Sequence, residues 1–361
     1  MKVKMPSADT ATPLERIPSV PPTIAAVPAH VHRPMWSVMI PTYNCLQYLQ
    51  ETIESVLAQD PGPELMQIAV VDDCSTDGDV KALVDAVGKN RVEFFQQTSN
   101  LGSLRNLESC LNLSTGHRVH LLHGDDKVAP GFYTEIDTLF TKYPEAGAAF
   151  THIAYMTEDA MFINPPFERE EGIVKDFLLK MAITIRVQPP AIVVKRSVYE
   201  QLGSFFAVHY GEDWEMWTRI AAHFPVAYSP KCLAHYRYLT SNSITQHSIK
   251  TGQNVRDIIK VFNIIQNYLP IDKRSSLRNA ALTNYAIYCA SLANNLYFTD
   301  VEAALVQAKG AFTMSKHRRV LYSLFKFYLK YFMGYNHIKY LWSKFIFPDK
   351  TIKLLLFPFI F

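Results

Sequence analysis

Two carboxylates stand side by side at Asp125-Asp126, directly after the apolar run Val119-His120-Leu121-Leu122 and the pair His123-Gly124. Adjacent carboxylates repel each other unless a cation or hydrogen-bond donors offset the charge. Oxygen ligands in this arrangement suit Mg2+ or Mn2+, ions that usually arrive with phosphates. A solvated Asp-Asp turn is the alternative reading of the pair alone. Two further acidic stretches stand out: Asp72-Asp73, after the apolar run Ile68 to Val71, and Glu212-Asp213, ahead of Trp214, Trp217 and Ile220 at helical spacing. Acids are stabilised at a helix N-terminus by its dipole, which accounts structurally for Glu212 and Asp213.

The elements that must position these groups are legible as alternating patterns. Short apolar runs at 36–40, 67–71, 92–95 and 119–122 read as strands. Between them, apolar residues at helical spacing (Leu46, Leu49, Ile53, Val56; Val80, Leu83, Val84, Val87; Leu104, Leu107, Leu111) read as helices. Strand-helix alternation at this spacing predicts a mostly parallel sheet with helices on both faces. Right-handed crossovers put every strand's C-terminal end on one rim, so Thr42, Asp73, Asp125 and Asp126 are expected in one cleft. No G-x-G-x-x-G or G-x-x-x-x-G-K-[ST] follows a strand, which argues against a dinucleotide-binding site and a P-loop.

Composition narrows the class. The 361 residues carry 48% hydrophobic side chains, ordinary for a packed protein. The net charge of +3 is uneven, because residues 316–361 hold nine Lys/Arg and one acid. A basic end on a mildly acidic body suggests an anionic surface as partner. The five cysteines form no C-x-x-C pair, so neither a zinc site nor a disulfide framework is indicated, and a reducing compartment is the simpler inference. There is no signal-peptide pattern after Lys2 and Lys4, and no apolar run long enough to span a bilayer.

Four motifs in order, Ser37 to Asn44 (SVMIPTYN), Val71 to Asp77 (VDDCSTD), Asn100-Leu101-Gly102 with Arg105-Asn106, and Asp125-Asp126, resemble the family 2 glycosyltransferases across residues 36 to 240. The resemblance implies a Rossmann-like α/β fold of GT-A type and a nucleotide-diphosphate sugar donor. It assigns Pro41, Thr42, Tyr43, Asp73, Arg105, Asp125 and Arg237 to the nucleotide sugar, and Asp126 with Asp125 to a divalent metal, Mg2+ or Mn2+. It makes Asp213 the catalytic base, which would remove a proton from an acceptor hydroxyl, with Glu212 orienting the acceptor or the loop. Two departures stand against the pattern: His123 where many relatives have Asp, which leaves fewer carboxylates for metal, and Leu239 where relatives often have His.

Four segments are expected: a disordered Pro-rich arm at 1–33, a glycosyltransferase domain at 34–248, a helical bundle at 249–315, and a basic, aromatic, amphipathic tail at 316–361. The tail has the composition of a helix lying in a membrane interface; burial against the bundle or against a second chain is the alternative, and a homo-oligomer stays open. No nucleic-acid-binding motif accompanies its cations. The functional expectation is an inverting glycosyltransferase of bacterial surface polysaccharide synthesis. It would work on a glycan or lipid-linked acceptor as a cytoplasmic protein, peripheral at the inner face of the membrane. The alternatives are a sugar-nucleotide nucleotidyltransferase and an inert membrane-associated scaffold of the same fold.

Overall fold

In the computed structural model, residues 15–157, 160–238 and 243–334 are described. The predicted alternation is present. Strand β1 (Trp36–Thr42) leads to helix α1 (Leu46–Leu57), β2 (Met66–Asp72) to α2 (Val80–Gly88), β3 (Glu93–Gln96) to α3 (Ser103–Leu113), and β4 (Arg118–Leu121) to a two-residue β5 (Lys127–Val128) and α4 (Phe132–Lys142). The second half adds β6 (Ala148–Met156), β7 (Met161–Phe162), β8 (Gly172–Ile173), α5 (Phe177–Met181), β9 (Ile192–Lys195), α6 (Arg196–Leu202), α7 (Glu212–His223) and β10 (Val226–Arg237).

One sheet runs β3-β2-β1-β4-β9-β6-β10-β5, with β7 on β6 and β8 on β10. β3, β2, β1 and β4 pair in parallel, as do β6 and β10, while β9 runs antiparallel between β4 and β6. Val38, Met39 and Ile40 of β1 and Ala69 and Val70 of β2 are fully buried. Strands covered on both faces read as continuous apolar runs rather than alternating ones, which is why these segments were recognisable.

The helix starts are held by side chains from neighbouring loops. Asp77 accepts from the Leu46 amide at 2.9 Å and so caps α1, while Asp79 caps α2 through the Ala82 amide at 2.9 Å. These contacts satisfy amides that a helix cannot pair internally.

Residues 15–33 are not the loose arm that the proline count suggests. Pro18 and Ile24 are buried. The carbonyls of Pro18 and Pro22 accept from the amides of Ala207 and Ser204, each at 2.8 Å, and buried Arg196 donates to the Ala25 carbonyl at 3.0 Å. Proline holds a chain extended and leaves its carbonyls unpaired within the segment; here the body supplies the donors. Residues 1–14 lie outside the described part.

The chain divides into two compact units, up to Asn284 and from Tyr285 onward. The division does not fall near residue 248. Helices α8 (Ile244–Thr251) and α9 (Gln253–Ile265) belong to the first unit, where Phe262 packs edge-on against Trp214 of α7 with ring centroids 5.0 Å apart. Helix α10 (Arg274–Leu296) runs from the first unit into the second, which also contains α11 (Val301–Met314) and α12 (Arg318–Phe332). The tail beyond Gly334 lies outside the described residues.

Asp73 shows how the sheet rim is built. Its carboxylate accepts from the amides of Leu101 and Gly102 at 2.7 and 2.8 Å and from the Asn100 side chain at 3.0 Å. Replacing it by alanine strands three donors at the start of α3. Asp73→Ala is expected to lower stability by about 1–3 kcal/mol, read as a lower denaturant midpoint with an unchanged m-value.

Candidate active site

The tips of β1 and β4 approach closely. The Gly124 amide donates to the Pro41 carbonyl at 3.1 Å. A Cβ on Gly124 would stand 2.8 Å from Cys45 Sγ and 3.0 Å from Thr42 Oγ1, so glycine alone lets the chain leave β4 along this path. From α1, the buried Thr52 hydroxyl lies 3.1 Å from the Gly124 carbonyl and 2.7 Å from that of Asp126. The acidic loop is thus fixed from below before any ligand arrives.

His123, Asp125 and Asp126 each bring one ligand-type atom to within 4.8 Å of the others. Asp126 Oδ1 accepts from the Arg237 amide at 2.7 Å, while Oδ2 is buried with no hydrogen-bond partner among the described residues. Burial pushes the Asp126 carboxyl well above the usual carboxylate range, and the neighbouring Asp125 charge pushes the same way. Asp125 is raised by burial as well, with His123 pulling it back. Burial lowers His123, which keeps its imidazole neutral and a ring nitrogen available. An orphaned carboxylate oxygen, a second carboxylate and a neutral imidazole in one cluster form a donor set that fits a divalent cation. His123, read from the sequence as weakening such a site, stands among its candidate ligands.

Arg237 is adjacent, but its guanidinium is occupied. Nε donates to the Asp125 carbonyl at 2.8 Å, a terminal nitrogen donates to Glu51 at 3.2 Å, and the group lies 4.2 Å from the centroid of the Tyr48 ring. It braces the acidic loop against α1. Glu51 and Tyr48 escaped the sequence reading because they lie off the buried face of α1 that apolar periodicity reports, and Thr52 because it is a polar residue on that face.

Across the cleft, α7 begins at Gly211, whose φ of +84° favours glycine and whose Cβ would meet Ile258 Cδ1 at 2.8 Å. Glu212 and Asp213 follow in the first turn. A buried network holds the helix: Arg219 pairs with Glu215 at 3.0 Å and donates to the Ser204 carbonyl at 3.0 Å, and the Tyr268 hydroxyl donates to Glu215 at 2.5 Å. Burial raises Asp213 to about 6, although the Trp214 amide donates to Oδ1 at 2.8 Å. Glu212 goes up further, by burial and then by the charge of Asp213.

One hollow is lined by His123 and Leu121 from the β4 side, by Glu212, Asp213 and Trp217 from α7, and by Pro189. Tyr236 on β10 joins the two acidic groups: burial raises its phenol, and Asp126, Asp125 and Asp213 all act on it in the same direction. No motif or period marks a strand tyrosine, so Tyr236 gave no signal in the sequence.

The other residues assigned to the nucleotide lie around the end of β1 and the loop ahead of α3. Thr42 is buried at the end of β1, Pro41 is half-buried beside it, and Tyr43 is exposed. The Asp73 carboxylate is buried and taken up by the Asn100–Gly102 loop, so it shapes the rim rather than offering free oxygens. Arg105 pairs with Glu108 at 2.6 Å and donates to the Glu15 carbonyl at 2.7 Å; it binds the N-terminal segment, not the acidic cluster. Leu239 lies outside the described residues.

A central α/β sheet whose fourth strand delivers an acidic loop, faced by a helix-terminal acid, is a fold of GT-A type. Residues 37–203 match the model of glycosyl transferase family 2. The chain is 27% identical over 227 residues to the putative teichuronic acid biosynthesis glycosyltransferase TuaG of Bacillus subtilis, covering 61% of this chain and 85% of that protein. It is 25% identical over 284 residues to the GalNAc(5)-diNAcBac-PP-undecaprenol beta-1,3-glucosyltransferase of Campylobacter jejuni, covering 73% and 84%. Among solved structures, the mannosyltransferase PcManGT from Pyrobaculum calidifontis in complex with GDP-Man and Mn2+ superposes with a TM-score of 0.54 at 20% identity, over 90% of this chain and 91% of that one. Residues 37–203 thus carry a glycosyl transferase family 2 region, and the chain is similar to proteins named as glycosyltransferases.

Gly124→Ala tests the close approach of the two strand tips. The added methyl meets Cys45 and Thr42, and is expected to cost about 1–3 kcal/mol of stability and to reduce transfer with any donor. A melting temperature equal to that of the parent protein would refute the packing argument.

Proposed function

We propose that the chain is an inverting glycosyltransferase that moves a sugar from a nucleoside-diphosphate donor to a hydroxyl of a glycan or lipid-linked acceptor in bacterial surface polysaccharide synthesis. The observation that supports this reading is the cluster of His123, Asp125 and Asp126 at the sheet rim, with His123 and Asp213 lining the same small, mostly apolar void. His123, Asp125 and Asp126 would hold a divalent cation, Mn2+ or Mg2+, which when bound neutralises charge on the diphosphate.

Asp213 takes the proton from the acceptor hydroxyl as that oxygen attacks the anomeric carbon. The bond from that carbon to the diphosphate oxygen breaks, and the nucleoside diphosphate leaves with the electron pair. Attack by a base-activated hydroxyl on the face opposite the leaving group gives one displacement and inverted configuration. Glu212, whose carboxyl is raised by burial and by the charge of Asp213, orients the acceptor by a hydrogen bond. Thr42 and Pro41 shape the floor for the nucleoside, with Tyr43 exposed beside it.

The acceptor class is supported by the relatives: one is named for teichuronic acid biosynthesis and another for a pyrophosphoryl-undecaprenol-linked glycan. The donor class is supported by the likeness to a fold that binds GDP-Man with Mn2+. No helix among the described residues is long and apolar enough to cross a membrane. Work on a lipid-linked acceptor would therefore place the protein peripherally, at the inner face where nucleotide sugars are made.

Asp213→Asn is expected to lower turnover by about 10²–10⁴-fold with donor affinity retained in calorimetry; unchanged turnover would sink the base assignment. In the parent enzyme, kcat/KM should fall as pH drops through about 6, because the carboxylate is the active form and burial raises its pKa to that value. A flat profile from pH 5 to 8 would count against it. His123→Ala should raise the Mn2+ concentration for half-maximal activity at least about tenfold; an unaltered Mn2+ titration would remove His123 from the metal set.

A further inference from the structure

Helix α12 buries one apolar face and exposes another. Val320, Leu324 and Phe327 are buried. Nearly opposite them stand Leu321, Tyr322, Phe325, Leu329, Phe332 and Met333, all exposed; Tyr322 is 61% exposed, Phe325 63%, Phe332 79% and Met333 60%. At about 100° per residue, these six fall within an arc of about 120°. A helix that only closes a bundle turns charged residues outward on that side. Scattered exposed apolar residues are ordinary, but six on one helix face form a patch, and such patches mark interaction surfaces.

The margin of the patch is basic. Arg319, Lys326 and Lys330 line one edge and Arg318 stands at the helix start, with no acid anywhere in α12. The Lys326 ammonium lies 4.4 Å from the centroid of the exposed Tyr322 ring. Lys316 precedes the helix, and residues 316–361 together carry nine Lys/Arg against one acid. An apolar strip of aromatic and leucine side chains edged by cations of one sign complements a surface that is hydrocarbon beneath and anionic above.

We propose that the outward face of α12 is a membrane-docking surface that lies in the interface of an anionic lipid bilayer, with Phe325 and Phe332 in the acyl boundary and Arg319 and Lys326 among the headgroups. Aromatic residues suit that depth and basic residues on the same helix add attraction to anionic lipid. The proposal rests on this surface alone and not on the catalytic assignments. It makes the second unit the part of the chain that holds the protein at the bilayer.

The test is flotation of the full chain with vesicles of phosphatidylcholine containing 30% phosphatidylglycerol, against vesicles of phosphatidylcholine alone. The parent protein should float with the anionic vesicles, and less so as salt is raised. The double variant Phe325→Glu/Phe332→Glu should lower the partition coefficient at least about tenfold, and Arg319→Glu/Lys326→Glu similarly, since each basic residue near the surface contributes on the order of fivefold. All four side chains are exposed and distant in sequence from the active-site residues, so hydrolysis of a nucleotide sugar in free solution, measured alongside, should stay at the parent level. Circular dichroism melting should also be unchanged, which excludes misfolding as the cause. Parent protein that fails to float, variants that float as well as the parent, or equal binding to both vesicle types would each overturn the proposal. So would a dimer in sedimentation equilibrium that Phe325→Glu/Phe332→Glu dissociates without altering flotation, which would assign the face to a second copy of the chain.

Discussion

Negative charge held out of water at the C-terminal rim of the sheet is the constraint around which this molecule is arranged. Asp125 and Asp126 follow β4 after Leu122, His123 and Gly124, and burial makes both carboxyls reluctant to ionise. Two buried like charges side by side are costly unless something offsets them. The structure offsets them only in part. The Arg237 amide reaches one oxygen of Asp126 and the Arg237 side chain reaches the loop carbonyl, while the other Asp126 oxygen is left without a partner among the described residues. A donor set with that deficit suits a cation, which would supply the missing charge and the missing ligand contact together.

Such a deficit is tolerable only where the surroundings cannot relax to relieve it. Thr52 reaches the carbonyls on both sides of the turn, and Gly124 lets the loop lie against Thr42 and Cys45. Arg237 is itself immobilised by Glu51 and Tyr48. On the opposite wall, the Arg219–Glu215 pair ties α7 to the Ser204 carbonyl and to Tyr268, which fixes the direction in which the helix start presents Asp213. Both walls therefore have fixed polar frameworks beneath the residues that face the hollow. Preorganisation of this kind lets fixed dipoles act on developing charge without first reorienting.

The N-terminal segment contributes to the same economy of contacts. Arg16 holds Asn100 through its backbone carbonyl and its side chain, at 2.8 and 2.6 Å, and Asn100 in turn donates to Asp73. Arg105 reaches back to the Glu15 carbonyl. The loop ahead of α3 is thus clasped between the sheet rim and a segment more than eighty residues earlier in the chain. A proline-rich composition alone gives no hint of this, since disorder and an extended packed strap share the same residue types.

Sequence alone determined the sheet of buried strands, the helices that cover it, and the placing of acids after strand ends. These follow from local rules: apolar runs have to be covered, and residues that follow a parallel strand emerge on a common rim. The resemblance to family 2 glycosyltransferases was carried by motifs in linear order. Tertiary structure decided which polar groups remain available. Asp73 and Asp125 look alike in sequence, each in an acidic pair after a strand, yet Asp73 is consumed by the Asn100–Gly102 amides while Asp125 joins His123 and Asp126. Arg105 and Arg237 carry the same charge and have quite different protein partners, the N-terminal segment and Glu108 for one, the acidic loop and Glu51 for the other. A hydrogen bond or ion pair is made with whatever lies within about 3 Å, and apart from the Arg105–Glu108 pair the neighbours here come from chain segments tens to more than a hundred positions away.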